Sequence, residues 1–328
     1  MEFLRDRGFA YAIGALEFAD NIRLNVIDRL LPYYSPHHIK KNADSLEGKL
    51  CIVTGGNAGI GRAFAEAAVQ HGAHVILACR SMERGTRAAQ AIQQQHPAKQ
   101  AHVEVRELDL ASLRSVRNFA QQFKGEHRHL DILVCNAGIM APPERGLTPD
   151  GFEQQFQVNY LSHWLLAHEL LRQDSSPSSS HRRAESPTLA EPRRLIFLSS
   201  MTHRAGHLDF SNLQLERQYT GFKGYANSKL ATLLAAQEWQ RRFRSSRSAR
   251  HDIAVAVHPG LVDTELARGW LTGSDVTGNL LQPIVAPIAR ILAPWLLISP
   301  RRAVDQLMYA TTGPASKVAG AYIAHGKW

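Results

Sequence analysis

A tyrosine and a lysine lie four residues apart in the stretch YANSK, from Tyr225 to Lys229. The segment that follows, LATLLAAQEW, is rich in strong helix formers, so the two side chains are predicted to share one helix face. A nearby cation favours the phenolate form of tyrosine, which suits such a pair to proton transfer near neutral pH. The same spacing is common by chance, so these residues alone leave open a catalytic pair or a structural one.

A glycine-rich loop, TGGNAGIG, spans Thr54 to Gly61 between a strand-like run, LCIVT, and a helix-forming segment. Gly55, Gly59 and Gly61 permit a sharp turn and let a pyrophosphate approach the amides at the start of the helix, where the helix dipole is positive. A strand before the loop and a helix after it are the context that this motif requires. The loop therefore predicts a dinucleotide site, with a purely structural turn as the alternative.

The residue that chooses between the two nicotinamide dinucleotides is expected about 20 positions further on, at the end of the second strand. An acidic residue there would bind the ribose hydroxyls of NAD, whereas an arginine accommodates the 2′-phosphate of NADP. The sequence has Arg80 in LACRS, with no acid beside it. Arg80 favours NADP(H) as the cofactor, unless it is an ordinary surface residue.

Short apolar runs alternate with longer helix-forming stretches from Lys49 onward. The continuous apolar character of these runs indicates strands that are covered on both faces, and the helices between them indicate right-handed crossovers. The predicted strands cover residues 50–54, 74–80, 102–108, 131–136, 194–200, 253–258 and 321–324. The pattern predicts an α/β fold, a single Rossmann-type doubly wound parallel sheet of about seven strands with helices on both faces.

The chain is predicted to have two parts, an N-terminal amphipathic helical extension over residues 1–47 and an NADP-binding Rossmann-fold catalytic domain over residues 48–328. Residues 173–193 are rich in Ser, Pro and charge, which predicts a flexible surface insertion. Residues 265–299 are apolar and broken by prolines. We interpret them as a lid over the substrate, with core or dimer surface as the alternative.

The first 46 residues are predicted to contact a membrane surface without spanning it. Their longest uncharged run, GFAYAIGAL, is too short to cross a bilayer. Apolar residues nevertheless recur at helical spacing opposite charged ones as far as Pro32, as in helices that lie in the membrane interface. The alternative is that this apolar face packs on the protein itself or on a partner.

The formal net charge of +9 is concentrated in a few places. RRFRSSRSAR, over residues 241–250, has five arginines, and Arg182, Arg183, Arg193 and Arg194 flank the serine-rich segment. These stretches are predicted to be exposed loops that are either simply solvated or attracted to anionic lipids. No nucleic-acid partner is expected, because no recognisable binding module accompanies the charge.

The cysteines indicate the cellular compartment, and the histidines bear on whether the protein binds a metal. Cys51, Cys79 and Cys135 each lie in an apolar run and are predicted to be buried thiols, as in a protein of a reducing intracellular compartment. We expect either a peripheral location on a membrane such as the endoplasmic reticulum or a cytoplasmic one. The sixteen histidines include no metal-ligand pattern, so no metal site is predicted.

Four motifs in order, TGGNAGIG, NAG (Asn136 to Gly138), YANSK and HPG (His258 to Gly260), resemble the short-chain dehydrogenase/reductase family over roughly residues 48–325. The stretch from residue 199 to residue 231 is similar to the retinol dehydrogenase-like branch, and also to polyprenol dehydrogenase-like and plant "forever young" oxidoreductases. Ser200 lies 25 residues before Tyr225, and that branch has a similar intervening segment. Cys135 stands where the family usually has asparagine, and a structural role is expected there.

The resemblance implies a catalytic set. Tyr225 would be the acid/base, and Lys229 would lower its pKa while binding the nicotinamide ribose. Ser200 would hold the substrate oxygen and stabilise developing negative charge. Asn159 would anchor a water chain behind the lysine. The helices containing Asn159 and Tyr225 would be the surfaces through which a homodimer forms.

The resemblance also implies a cofactor-binding set that extends the glycine loop and Arg80 along the carboxyl ends of the strands. The full set is Gly55, Asn57, Gly59, Ile60, Gly61, Arg80, Asp109, Leu110, Asn136, Ala137, Gly138, Tyr225, Lys229, Pro259, Gly260 and Thr264.

Together these features predict an NADP(H)-dependent oxidoreductase that interconverts an alcohol and a carbonyl on a lipophilic small molecule such as a retinoid, prenol or steroid. The alternative is a catalytically silent NADP-binding sensor or complex subunit with the same fold, since a fold does not guarantee its function. A third alternative is a membrane-bound interaction protein built around the N-terminal segment.

Overall fold

The architecture is a single parallel sheet between two layers of helices. The computed structural model describes residues 46–96, 102–127, 129–171, 191–246, 251–260, 262, 298 and 300–324. Within these residues, seven strands pair in the order β3-β2-β1-β4-β5-β6-β7, and every pairing is parallel. The order reverses between β1 and β4, which opens a crevice at the carboxyl ends of these two strands.

The seven predicted strands are all present, with ends that differ by at most two residues. They are β1 (Leu50–Thr54), β2 (His74–Cys79), β3 (Val103–Glu107), β4 (Ile132–Cys135), β5 (Arg194–Leu198), β6 (Ile253–His258) and β7 (Tyr322–Ala324). The fold-class prediction is confirmed.

Helices cover both faces of the sheet. In the described residues they are α1 (Gly59–Gln70), α2 (Met82–Gln95), α3 (Leu113–Glu126), α4 (Gln154–Phe156), a π-helical turn (Gln157–Leu161), α5 (Ser162–Leu171), a 3₁₀ turn (Met201–Ala205), α6 (Gly221–Ser245), α7 (Pro300–Thr312) and α8 (Ala315–Val318).

Two hydrophobic cores, one on each face of the sheet, hold these layers together. Helices α1, α2 and α7 pack on one face, and α3, α5 and α6 pack on the other. Alternate residues of β1 enter different cores: Cys51 and Val53 face α1, whereas Ile52 faces α3 and α5. All five residues of β1 are buried, and its first four are apolar, as expected for a strand that is covered on both faces.

Arg193, just before β5, and Arg194, its first residue, are largely buried, which corrects the prediction of an exposed basic loop. Arg193 donates from its backbone N and from Nε to the two carboxylate oxygens of Asp252, at 2.8 and 2.9 Å. Arg194 donates to the carbonyls of Ala310 and Gly313 at the end of α7, at 2.9 and 2.8 Å. A paired carboxylate and unsatisfied helix carbonyls are the partners that make burial of an arginine tolerable.

The second basic run also differs from the prediction, because helix α6 continues to Ser245 and includes its first five residues. Arg241 and Arg242 both pair with Glu238 on the same helix. The Arg242 guanidinium lies 4.8 Å from the centroid of the Trp164 ring, a cation–π contact between α6 and α5. These arginines therefore belong to a helix surface.

Leu46 is buried in the core and donates its backbone N–H to the His71 carbonyl at 2.9 Å. The packed domain therefore includes residue 46, slightly before the predicted boundary. The remainder of the predicted extension, most of the 173–193 insertion and almost all of the 265–299 lid lie outside the described residues. In the part of the chain that the structure describes, no helix has the length and apolar character to cross a membrane.

Candidate active site

The glycine loop joins β1 to α1 at the crevice. Gly55 and Gly59 have φ values of +65° and +53°, a backbone region that favours glycine. A side chain at Gly61 would collide with the Asn136 amide and the Gly55 carbonyl. Ala58 precedes the first turn of α1, and its side chain makes no capping hydrogen bond. The loop thus combines a tight turn with helix amides at the carboxyl end of β1.

Thr54, the last residue of β1, binds the loop that follows β4, the neighbouring strand in the sheet. Its carbonyl accepts a hydrogen bond from Asn136 Nδ2 at 2.7 Å. Its Oγ1 accepts two more from the backbone N–H groups of Asn136 and Ala137, at 2.9 and 3.0 Å. The predicted residues Asn136 to Gly138 therefore form the floor of the crevice, held directly against the glycine loop.

Arg80 lies beside the glycine loop with an exposed side chain. Its strand pairs with β1 so that Ala78 faces Thr54, and the Gly55 N–H donates to the Ala78 carbonyl at 2.8 Å. Ser81 then caps α2 by accepting a hydrogen bond from the Arg84 backbone N at 3.3 Å. Arg80 therefore lies at the edge of the crevice, immediately after β2.

Asp109 and Leu110 follow β3 at the same edge of the sheet. The Asp109 carboxylate accepts a hydrogen bond from the Ala111 backbone N at 2.9 Å, which shapes the turn. The Leu110 carbonyl accepts hydrogen bonds from Ser162 Oγ at 2.6 Å and from Gln157 Nε2 at 3.3 Å. These contacts fix the turn after β3 to the π-helical turn and α5.

Tyr225 and Lys229 lie on α6, and both side chains are buried. Lys229 Nζ lies 5.5 Å from the centroid of the Tyr225 ring and donates a hydrogen bond to the Leu198 carbonyl at 2.9 Å. Burial lowers the pKa of Lys229 to about 8. The helix therefore presents a phenol and a desolvated amine together at the carboxyl end of β5.

The two serines after β5 are placed differently. Ser199 is buried, and its hydroxyl donates to the Lys229 carbonyl at 3.0 Å. Ser200 is partly exposed, and its Oγ accepts a hydrogen bond from the Thr202 backbone N at 3.3 Å. Ser199 thus anchors α6 to β5, while the Ser200 hydroxyl keeps its hydrogen available for another acceptor.

Asn159 lies in the π-helical turn and joins the crevice floor to α6. Its Oδ1 accepts from the Ile139 backbone N at 2.8 Å. Its Nδ2 donates to the Ile139 carbonyl at 3.0 Å and to Ser228 Oγ at 2.9 Å. A Cβ at Gly138 would lie 3.1 Å from Asn159 Oδ1 and 3.8 Å from Lys229 Nζ, so both groups approach the same point of the floor.

Pro259 and Gly260 follow β6 at the same edge, and Gly260 has a φ of +86°. Thr264 lies outside the described residues. The structure therefore brings the other predicted site residues to the carboxyl ends of six adjacent described strands, β3 to β6 in sheet order. Among the described residues, no group of three or more His, Cys, Asp or Glu side chains could hold a metal ion.

The sequence reasoning missed two buried residues that brace the site. Gln155 accepts from the Ala141 backbone N at 2.8 Å and donates to the Gly221 carbonyl at 3.0 Å, which ties the loop after β4 to the start of α6. His163 is hydrogen-bonded through Nε2 to Thr54 Oγ1 at 2.8 Å and through Nδ1 to the Asn159 carbonyl at 3.0 Å. Both are four residues from Asn159, a spacing that places them near it on a helix.

Comparison with known proteins assigns the family. The family model described as short chain dehydrogenase matches residues 49–180. Human "Retinol dehydrogenase 13" is 39% identical over 282 residues, which cover 85% of this chain and 76% of that protein. Human "Retinol dehydrogenase 11" is 41% identical over 225 residues, which cover 68% of this chain but only 64% of that protein.

Solved structures share the fold. A crystal structure of a protein from Mycobacterium paratuberculosis is similar with a TM-score of 0.61 and 30% identity, covering 86% of this chain and 82% of that one. A short chain dehydrogenase from Shigella flexneri, solved in complex with NADP, also has a TM-score of 0.61, at 20% identity over 87% of this chain and 100% of that one. The chain therefore belongs to the short-chain dehydrogenase/reductase family of oxidoreductases, in its retinol dehydrogenase-like branch.

Proposed function

We propose that this protein is an NADP(H)-dependent oxidoreductase that interconverts an alcohol and a carbonyl on a lipophilic substrate of the retinoid class. One observation carries the proposal: Tyr225 and the desolvated Lys229 lie together beside a glycine loop of the type that binds dinucleotides. A phenol, an amine and a dinucleotide loop at one edge of a parallel sheet suit acid–base chemistry coupled to hydride transfer.

The residues around the crevice fit a dinucleotide. A side chain at Gly61 would collide with the Asn136 amide and the Gly55 carbonyl, so glycine lets the first turn of α1 pack closely against the loop. The amides of that turn suit a pyrophosphate. Asn136 to Gly138 would support the nicotinamide end, and Lys229 would bind its ribose. When bound, the cofactor supplies or accepts the hydride. A Cβ at Gly138 would crowd Asn159 Oδ1 at 3.1 Å, so glycine leaves this part of the floor without a projecting side chain.

Tyr225 transfers the proton in this proposal. In reduction its phenol donates a proton to the oxygen of the carbonyl substrate, and in oxidation its phenolate takes the proton from the alcohol. The Lys229 ammonium favours the phenolate and so brings the tyrosine nearer to a useful acidity at neutral pH. Ser200, with a partly exposed hydroxyl, donates a hydrogen bond to the same oxygen and stabilises the charge that develops on it.

The preference for NADP(H) rests on Arg80. An exposed guanidinium directly after β2, beside the glycine loop, suits the 2′-phosphate of NADP, which NAD lacks. Charge-assisted hydrogen bonds contribute about 1.5–3 kcal/mol, or roughly 10–150-fold in affinity. Arg80→Ala is therefore expected to weaken NADPH binding by about that factor and to leave NADH binding nearly unchanged. Arg84→Ala, on the exposed start of α2, serves as the matched control.

The lipophilic substrate class rests on the relatives named retinol dehydrogenases and on the apolar segment 265–299, which we propose covers the substrate.

Two measurements test the proposed function. The first follows oxidation of NADPH by the wild-type protein with all-trans-retinal. The second titrates NADPH and NADH by fluorescence with the wild type and both arginine variants. Turnover with retinal supports the proposal. Cofactor binding without turnover on retinal or on a panel of lipophilic aldehydes would identify a sensor, and equal losses for both cofactors in Arg80→Ala would remove the NADP assignment.

A further inference from the structure

We infer that His163 is a positioning residue of the proposed active site, because it joins the end of β1 to the Asn159 turn beneath the crevice floor. The inference rests on the proposed function, since it concerns the same catalytic and cofactor residues. His163 is 1% exposed, and both of its ring nitrogens are within hydrogen-bonding distance of polar atoms in the crevice wall.

The hydrogen bonds at Thr54 determine the role of His163 Nε2. Thr54 Oγ1 accepts from the backbone N–H groups of Asn136 and Ala137, which occupies both of its lone pairs. Its single hydrogen must then point to an acceptor. His163 Nε2 lies at 2.8 Å, whereas the Val134 carbonyl lies at 3.4 Å. His163 Nε2 is therefore the better acceptor, and it must be unprotonated.

The other ring nitrogen leads independently to the same tautomer. A carbonyl oxygen only accepts hydrogen bonds, so the 3.0 Å contact with the Asn159 carbonyl requires a proton on His163 Nδ1. A neutral ring with its proton on Nδ1 satisfies both contacts at once. Burial lowers the pKa of His163 to about 4, which agrees with a neutral ring at physiological pH.

The two hydrogen bonds of His163, which bridge Thr54 and Asn159, support different parts of the site. The Thr54 end holds the backbone of Asn136 and Ala137, which forms the predicted floor under the cofactor. The hydrogen bond to the Asn159 carbonyl fixes the π-helical turn. The Asn159 side chain in that turn binds Ser228 Oγ, and Ser228 directly precedes Lys229 on α6. Losing the first contact is therefore expected to disturb cofactor binding, and losing the second is expected to disturb the placement of Lys229.

Two amide substitutions separate the two contacts. His163→Asn retains an N–H donor near the position of Nδ1, but its side chain is too short to reach Thr54. His163→Gln places an amide oxygen near the position of Nε2, where it can accept from Thr54, but loses the donor to the Asn159 carbonyl. His168→Gln, on the same helix and outside the site, is the matched control.

The experiment measures the NADPH dissociation constant by fluorescence and kcat with all-trans-retinal, each corrected for the folded fraction from a thermal melt. One lost hydrogen bond corresponds to roughly a threefold to tenfold change. We expect His163→Asn to weaken NADPH binding by about that factor with kcat within about twofold. We expect His163→Gln to lower kcat by about the same factor with NADPH affinity within about twofold. His168→Gln should match the wild type in both measurements.

A histidine that only fills the core would lower the melting temperature in both variants and leave kcat and NADPH affinity per folded molecule unchanged. That result, or the same change in both variants, would overturn the inference. If the wild type binds NADPH but reduces no carbonyl, the proposed function fails separately. The NADPH dissociation constants then decide alone. Weaker NADPH binding by His163→Asn than by His163→Gln supports the positioning role of His163, and equal NADPH binding by the two variants overturns it.

Discussion

At Lys229, the proposed catalytic role lowers the folding stability of the protein. Its amine is buried and receives the Leu198 carbonyl as a hydrogen-bond partner, and burial lowers its pKa from 10.5 to about 8. A shift of this size means that keeping the amine charged in the folded state costs about 3 kcal/mol at neutral pH. A neutral apolar side chain would avoid that cost, so retention of lysine at this position fits a role in the site.

Lys229→Met is expected to raise the free energy of unfolding near neutral pH by about 1–2 kcal/mol, since the avoided desolvation exceeds the lost hydrogen bond. Turnover should fall at least 100-fold, a loss typical of removing a group that assists proton transfer. Lys223→Met, on the same helix, is the control and should change neither quantity by much. Urea unfolding and retinal turnover measure the two effects.

The sign of the pH dependence follows from the lowered pKa. Below about pH 8 the folded protein bears the full cost of the charged amine, and the cost disappears as pH rises toward 10.5, where the unfolded chain also loses the proton. The stability advantage of Lys229→Met should therefore shrink between these values. An advantage that stays constant with pH would show that the Lys229 amine is not desolvated in the folded protein.

Among helices and strands, the sequence predicted what depends on local pattern. The strands were found because continuous apolar runs reveal burial on both faces, and β1 places alternate residues in two cores. The π-helical turn around Asn159 was not predicted, because its hydrogen-bonding pattern has no compositional signature. The His163 contact with Thr54 spans 109 residues of sequence, and such a pairing becomes visible only when the sheet is assembled.

Arg193 and Arg194 illustrate the same limit. Composition placed Arg193 and Arg194 in an exposed basic loop, because a charged residue next to a serine-rich segment is usually solvated. Their partners, Asp252 and the end of α7, come from distant parts of the chain. Charge alone therefore did not distinguish a buried, paired arginine from a surface arginine.

The Arg193–Asp252 pair should matter far more for stability than a surface pair. The Asp252 side chain is 4% exposed, and removing it would leave the Arg193 guanidinium buried without its carboxylate. Asp252→Ala is expected to lower the free energy of unfolding by about 3–5 kcal/mol. Glu238→Ala, which breaks exposed pairs with Arg241 and Arg242, is expected to cost less than about 1 kcal/mol. Similar losses in urea unfolding for both variants would contradict the buried pair's importance.

For the whole molecule, we propose that residues 1–45 hold the domain at a membrane surface. The apolar positions in this segment recur at helical spacing, and a lipophilic substrate would make such a location useful. The domain itself begins with Leu46, which is buried in the core, so the test variant should keep that residue. Pairing of two copies through α5 and α6 also remains a prediction.

Flotation with anionic liposomes tests the membrane proposal. The full-length protein is expected to float with the vesicles, and a variant lacking residues 1–45 is expected to remain largely in the soluble fraction. Equal flotation of the two would show that this segment is not the anchor. Loss of melting temperature on deletion, without loss of flotation, would instead favour packing of the segment on the protein.

The central claim is that Tyr225 transfers the proton while the surrounding residues bind the cofactor, and Tyr225→Phe tests it most directly. NADPH affinity, measured by fluorescence titration, should stay within about twofold of the wild type, because the ring and its packing are retained. The kcat with all-trans-retinal should fall by roughly 10²–10⁴-fold, the usual contribution of a general acid. Tyr309→Phe on α7 is the control and should match the wild type. A Tyr225→Phe variant that keeps more than about half of the wild-type kcat would contradict the account, since no general-acid contribution would then be assigned to this phenol.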